Sequence, residues 1–123
     1  MAQTILIVDD SRMFRRRIRK ALEDAGHHVI EAGDGLEALE KLTGTLPALI
    51  ICDLNMPRMN GLEFLEELQR RSDLDIPIIM LTAEVQPSTI NQAKRLGAKG
   101  WLVKPVSPPA LLNLVTHIAQ GQG

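Results

Sequence analysis

Short apolar runs alternate with amphipathic segments from one end of the chain to the other. Ile5-Leu6-Ile7-Val8 predicts a first strand, closed by Asp9-Asp10. From residue 11 to 25 the spacing turns helical. Phe14, Ile18, Ala21, Leu22 and Ala25 fall on one face, with Arg and Lys elsewhere, and Gly26 stops the helix. His28–Ala32 predicts a second strand. Asp34 with Glu37 forms a capping box opening a helix through Leu36, Leu39 and Leu42. A third strand is expected over 48–52, and Asn60 with Glu63 repeats the capping signal before Leu62, Leu65 and Leu68. Pro77 marks the start of a fourth strand over 78–81. A helix over 87–96 follows, stopped by Gly97, and then a fifth strand, Gly100–Val103. Ser107-Pro108 supplies an N-cap and a proline at the first helical position. Leu111, Leu112, Val115 and Ile118 give that last helix its apolar face, and Gly121-Gln122-Gly123 is expected to fray.

Strands and helices in strict alternation predict an α/β fold. Right-handed crossovers give a doubly wound parallel five-stranded sheet covered on both faces. No linker, repeat or low-complexity tract interrupts the pattern, so residues 1–123 are expected to form one domain. In such sheets the ligand sits at the carboxyl ends of the strands, near the switch point.

Composition narrows the function classes. With 123 residues, 45% hydrophobic and 24% charged, the chain suits an ordinary globular domain with one core. A net charge of -1 and a pI near 6.3 argue against non-specific attraction to nucleic acid or membranes as the main activity. The single cysteine, Cys52, excludes an internal disulfide and a multi-cysteine metal site; inside an apolar run it is expected to be a small buried hydrophobe. No segment approaches the ~18 apolar residues of a membrane span. The N-terminus lacks the basic region of a signal peptide. A cytoplasmic monomer is expected.

The chemistry gathers where the predicted strands end. Asp9 and Asp10 close the first strand, Asp53 the third, Thr82 the fourth and Lys104 the fifth, with Pro105 next. In a parallel sheet all of these lie on one edge. Each alone has an ordinary explanation: an Asp after a strand caps or turns, Asp10 caps the following helix, a lone Lys is solvated. Together they are far more specific. Three crowded carboxylates repel, and one is driven to protonate unless a cation relieves the repulsion. Hard oxygen ligands with no His or Cys nearby favour Mg2+, which keeps waters and leaves a place for a phosphoryl oxygen. Lys104 supplies a compact positive charge and Thr82 a hydroxyl donor. Asp53 is then a carboxylate nucleophile that forms an aspartyl phosphate by in-line displacement.

At these residues the chain resembles the receiver domain of bacterial two-component response regulators. Val8-Asp9-Asp10, Asp53-Leu54-Asn55-Met56-Pro57 with Gly61, Leu81-Thr82-Ala83 and Lys104-Pro105 carry the likeness, which runs from about Thr4 to Ile118. The resemblance implies a (βα)5 flavodoxin-like sheet in the order 2-1-3-4-5. It implies that Asp53 is the phospho-acceptor. By the same resemblance Asp9 and Asp10 would organise Mg2+, with Asp10 as direct ligand, and Asn55 would lend its backbone carbonyl. Thr82 and Lys104 would engage the phosphoryl group, and the Lys104-Pro105 bond would be cis. The donor implied is a phosphohistidine on a sensor kinase or phosphotransfer protein. The output implied is binding to a downstream partner through the fourth helix, fifth strand and fifth helix, a face that would include Ile90, Lys94, Trp101 and Val106.

Further features refine the expectation. Only four residues follow the end of the last helix near Ala119, which resembles the stand-alone, chemotaxis-type (CheY-like) regulators rather than DNA-binding ones. Asn55 and Glu84 stand two residues after Asp53 and Thr82, where they are expected to tune dephosphorylation or to be plain exposed loop residues. Trp101 takes the place, three before Lys104, where the family usually has a Tyr or Phe switch; it is expected to report activation while packing inward less fully. Arg12, Arg15, Arg16, Arg17, Arg19 and Lys20 crowd the first helix, as a solvated face or as a steering surface for an acidic partner. The competing readings are a phosphate shuttle or sink, an unphosphorylated scaffold, a receiver cut from a longer DNA-binding regulator, and an aspartyl-nucleophile phosphatase. The phosphatase reading is weakened by the mid-chain nucleophile, by Asn55 in place of a second acid, and by the lack of a cap domain.

Overall fold

The central strands are almost wholly apolar because each buries both faces. The structure is a computed structural model and describes residues 3–71, 75–83 and 86–119. Its elements run β1 (Thr4–Val8), α1 (Arg12–Asp24), β2 (His28–Ala32), α2 (Gly35–Leu42), β3 (Leu49–Cys52), α3 (Gly61–Arg70), β4 (Ile78–Thr82), α4 (Pro87–Arg95), β5 (Gly100–Val103) and α5 (Pro108–Ala119). The five strands pair in parallel in the order β2-β1-β3-β4-β5. Alternate residues of a strand enter opposite cores. Leu6, Val8, Ile50, Cys52, Ile78 and Met80 meet Ala38, Leu42, Phe64, Leu65, Leu68 and Ala93 of α2, α3 and α4. Ile5, Ile7, Leu49, Ile51, Ile79 and Leu81 meet Ile18, Leu22, Leu111, Val115 and Ile118 of α1 and α5. Burial of each large side chain contributes about 1.5–3 kcal/mol, so both layers are needed to hold the sheet. The edge strands β2 and β5 are only partly buried.

The helix ends follow the capping residues closely. Asn60 and Glu63 close a full reciprocal box at the start of α3, with both hydrogen bonds at 2.9 Å. Ser107 accepts from the Ala110 N–H at the start of α5. Gly26 and Gly97 take positive φ just past α1 and α4, where other residues are strained.

Some expectations need correcting. Asp34 does cap α2, but Glu37 accepts from the Gly33 N–H, not that of Asp34; Gly33 lies just past the end of the β2 ladder. The buried stripe of α2 is Gly35, Ala38 and Leu42, and Leu36 is exposed. An i, i+3, i+7 stripe stays on one face, whereas the 36-39-42 spacing drifts off it. Ala25 is an exposed C-cap instead of a member of the α1 apolar face. Asp10 does not cap α1, because the Ser11 hydroxyl accepts the Phe14 N–H. Strand β1 gains Thr4, β4 gains Thr82 and β3 loses Ala48.

Candidate functional site

Register alone brings the polar strand ends together. Val8 pairs with Cys52, so the residues that follow, Asp9 and Asp53, emerge side by side. The ladder runs on past both strands: the Asp9 N–H donates to Ala32 O at 3.0 Å and the Asp53 N–H to Val8 O at 2.8 Å. Thr82 pairs with Val103, and the Lys104 N–H then donates to Thr82 O at 2.9 Å. The structure thus gathers Asp9, Asp10, Asp53, Thr82 and Lys104 on one edge. Asp9, Asp53 and Thr82 are buried, at 2%, 7% and 0% exposure, while Asp10 is exposed.

Lys104 organises the buried acids. Its Nζ lies 2.7 Å from Asp9 Oδ2 and 3.4 Å from Asp53 Oδ2. The remaining oxygens accept backbone donors at 2.8 Å, Asp9 Oδ1 from the Ser11 N–H and Asp53 Oδ1 from the Leu54 N–H. One ammonium between two carboxylates leaves negative charge over. Burial, and next the charge of Asp9, push the Asp53 carboxyl above the usual range, although Lys104 and the Leu54 amide pull the other way. Burial draws the Lys104 ammonium down, but its hydrogen bond to Asp9 and the two negative charges outweigh that and raise it. Lys104 is therefore a committed cation, not a solvated surface lysine. Cys52, fully buried beside these acids, has its thiol pushed up by burial and then by the charges of Asp53 and Asp9, so it is inert packing.

The donor set fits a hard cation. One oxygen from each of Asp9, Asp10 and Asp53 can be chosen so that all lie within 4.8 Å of one another. Carboxylate oxygens so spaced, one of them exposed, suit Mg2+ with part of its water shell retained.

Several supporting residues carried no usable signal in the chain. Phe14 places its ring centroid 4.1 Å from Lys104 Nζ, a cation–π contact that helps hold the ammonium over the site. In the sequence it is one more apolar residue of α1. Arg15 donates to the Asp9 carbonyl and to Glu31 at 2.9 Å, and Arg19 donates to Glu31 at 2.6 Å. Burial alone would raise the Glu31 carboxyl, but the bonds from Arg19 and Arg15 bring it below the usual range. This divides the basic run of α1, which is not one uniform steering face. Arg15 and Arg19 are tied to β2, while Arg12, Arg16 and Arg17 are exposed.

Gly61 matters for space. Its N–H donates to Leu54 O at 2.8 Å, and a Cβ there would overlap the Asp53 carbonyl and stand 2.9 Å from Leu54 Cα. Asn55 is exposed in the loop between β3 and α3. Lys104-Pro105 is cis, as the family resemblance implied. Trp101 is half-buried against the α2–α4 core, and its Nε1 is buried with no hydrogen-bond partner. Glu84 lies outside the described residues.

Known proteins share the family and fold of this chain. Residues 5–116 match the family described as the response regulator receiver domain. The Regulator of RpoS from Escherichia coli (strain K12) is 41% identical over 106 residues, which cover 86% of this chain and 31% of that protein. The chain thus spans about a third of the length of the curated relatives it first matches. Among solved structures, the Vibrio cholerae chemotaxis protein CheY4 is 40% identical with a TM-score of 0.90, covering 96% of this chain and 99% of that one. A CheY-like receiver domain protein from Methanospirillum hungatei is 28% identical with a TM-score of 0.92, covering 99% and 97%. No helix among the described residues is long and apolar enough to cross a membrane. A parallel 2-1-3-4-5 sheet with its acids and lysine on one edge, matched by a family over most of its length, makes this chain a CheY-like member of the two-component response regulator receiver family.

Proposed function

We propose that Asp53 is the phospho-acceptor of this receiver and that its phosphorylation switches binding to a downstream protein. The observation that carries this is Lys104 Nζ set between Asp9 and Asp53, at 2.7 and 3.4 Å, over a carboxylate that burial makes reluctant to stay charged. An Oδ of Asp53 forms a bond to phosphorus as the P–N bond of a phosphohistidine breaks and the imidazole nitrogen takes the electron pair. With acetyl phosphate the P–O bond breaks and acetate leaves. Asp9, Asp10, Asp53 and the Asn55 backbone carbonyl would hold Mg2+, which supplies charge neutralisation for the transferring phosphoryl oxygens. Lys104 exchanges part of its contact with Asp9 for the phosphoryl group, and the buried Thr82 hydroxyl serves as a further donor. These new contacts bias two pre-existing states of the domain. Intact-mass measurement after acetyl phosphate and Mg2+ is expected to show one phosphoryl adduct, mapped to Asp53 and absent when EDTA is present from the start. A metal-independent adduct, or one mapped elsewhere, overturns the assignment.

The output we assign to α4, β5 and α5, with Trp101 as reporter. An indole N–H buried without a partner is disfavoured by about 1–3 kcal/mol, so a state that gives it one is readily selected. Beryllofluoride with Mg2+ is expected to shift the emission of Trp101, the only tryptophan. An unchanged spectrum together with unchanged acrylamide quenching would reject the switch.

The donor is a sensor kinase or phosphotransfer protein, with Arg12 and Arg16 offering charge to an acidic face. Arg12→Glu with Arg16→Glu is expected to slow transfer from a phosphorylated phosphotransfer domain about tenfold. Labelling by acetyl phosphate should be spared, and equal slowing with both donors rejects the steering role. A chemotaxis response regulator from Vibrio cholerae, 40% identical, supports a signalling role for this receiver. Glu84 and Asn55 are kept as tuning positions for dephosphorylation.

A further inference from the structure

Arg58 is the one non-glycine residue with positive φ among the described residues, at 62°. Glycine would adopt that conformation without strain, so an arginine there needs a compensating contact. The contact is Asp34, 24 residues earlier in the chain. Arg58 Nε donates to Asp34 Oδ2 at 2.7 Å and a terminal nitrogen donates to Oδ1 at 3.1 Å, a two-pronged guanidinium–carboxylate pair. Asp34 is itself buried and also caps α2 through the Glu37 N–H. The Arg58 bonds come first among the influences that hold its carboxyl below the usual range.

The neighbouring residue adds a second grip. The Gly35 N–H donates to Met59 O at 3.1 Å, and Met59 packs so closely on Gly35 that a Cβ there would lie 2.6 Å from Met59 Cγ. The first turn of α2 therefore holds residues 58 and 59 by ion pair, hydrogen bond and packing. At the base of the same loop, the Gly61 N–H donates to Leu54 O beside Asp53. The loop from Asn55 to Asn60 is thus tied to α2 at one side and to the end of β3 at the other. Its first residue, Asn55, is the one whose backbone would face the cation.

We propose that the Asp34–Arg58 pair is a positioning latch for phosphorylation: it fixes the β3–α3 loop so that the backbone at Asn55 is preorganised beside Asp53. Asp34 and Arg58 are positioning residues, since neither touches the reacting atoms. The inference rests on the reading of Asp53 and Mg2+ given above.

Two variants separate the latch from stability. Asp34→Asn keeps a good helix cap but removes the charge that Arg58 binds. Arg58→Gly removes the guanidinium while relieving the positive φ. By calorimetric titration with Mg2+ alone, each single variant is expected to bind about 10-fold more weakly, at the low end of what outer-shell partners contribute. The double variant should be no weaker than the weaker single one, because both changes break one contact. Amides of residues 54–60 should exchange with deuterium faster, while those of β1 and β3 keep their protection. Saturating Mg2+ should restore the labelling rate with acetyl phosphate. If wild type binds Mg2+ and is labelled at Asp53 while both variants bind as tightly, the latch is wrong and the phospho-acceptor reading stands. If wild type binds no Mg2+, that reading fails and the latch with it.

Discussion

Asp53→Asn is expected to take no label from acetyl phosphate and, in metal-free buffer at pH 7, to melt roughly 4 °C above the wild type. Loss of label follows from the role proposed for Asp53 as nucleophile: an amide oxygen cannot displace a phosphoryl leaving group as a carboxylate does. The gain in stability follows from electrostatics. Asn keeps the shape and can still accept the Leu54 N–H, but it carries no charge into a buried place beside Asp9. A single-site change of this kind is worth about 1 kcal/mol, which for a domain of this size is a few degrees. The pH dependence has a definite sign. Burial, then Asp9, raise the folded-state pKa of Asp53. The folded state therefore holds that proton more tightly than the unfolded chain. The associated stability is present below the unfolded value, about 3.9, and is lost as pH rises through the raised folded value. The advantage of Asp53→Asn should be near zero at the acid end and grow to a plateau above it. Adding Mg2+ should raise the wild-type midpoint and leave the variant's nearly unchanged. Calorimetry across pH, with and without EDTA, measures both effects. A variant that melts below wild type at pH 7, or by an offset independent of pH, would show that Asp53 is not under this strain.

The second large effect is steric. Gly61→Ala is expected to destabilise the domain by about 3 kcal/mol, at the upper end for overpacking. The added methyl would overlap the Asp53 carbonyl oxygen and approach Leu54 Cα to 2.9 Å. Both obstacles are backbone, so no rotamer change makes room. The start of α3 must retreat from the end of β3, and the strand end that carries Asp53 shifts with it. Urea unfolding should show the lower midpoint, and labelling by acetyl phosphate should slow in the folded fraction. An unchanged midpoint would mean that the helix and strand can separate freely there.

How far the chain could be understood before its fold differs from residue to residue. The strands were readable because β1, β3 and β4 bury both faces, which leaves continuous apolar runs in the sequence. Helix starts were readable because Ser, Asp and Asn caps act on the next turn of chain. The face of α2 was not legible because only Leu42 of its three leucines lies in the buried stripe; the small residues Gly35 and Ala38, which a search for large apolar side chains passes over, complete it. Asp9, Asp53, Thr82 and Lys104 were found as a set because each follows or ends a strand, and a parallel sheet puts all such ends on one edge. The roles of Phe14, Arg15 and Arg58 could not be found in this way. Their partners, Lys104, Glu31 and Asp34, are distant in the chain, and nothing local marks the pairing.

The order of polar and apolar residues along this chain was therefore enough for the elements, the layered α/β class and the identity of the groups at the strand ends. Those depend on local propensity and on periods of two and 3.6 residues, which a linear sequence carries. Only the tertiary structure decided which acid Lys104 grips most closely, how strongly burial opposes charge on Asp53, and that α1 spends two of its arginines on Glu31. Distances and dielectric are properties of residues brought together from separate strands, and they exist only once the sheet has formed.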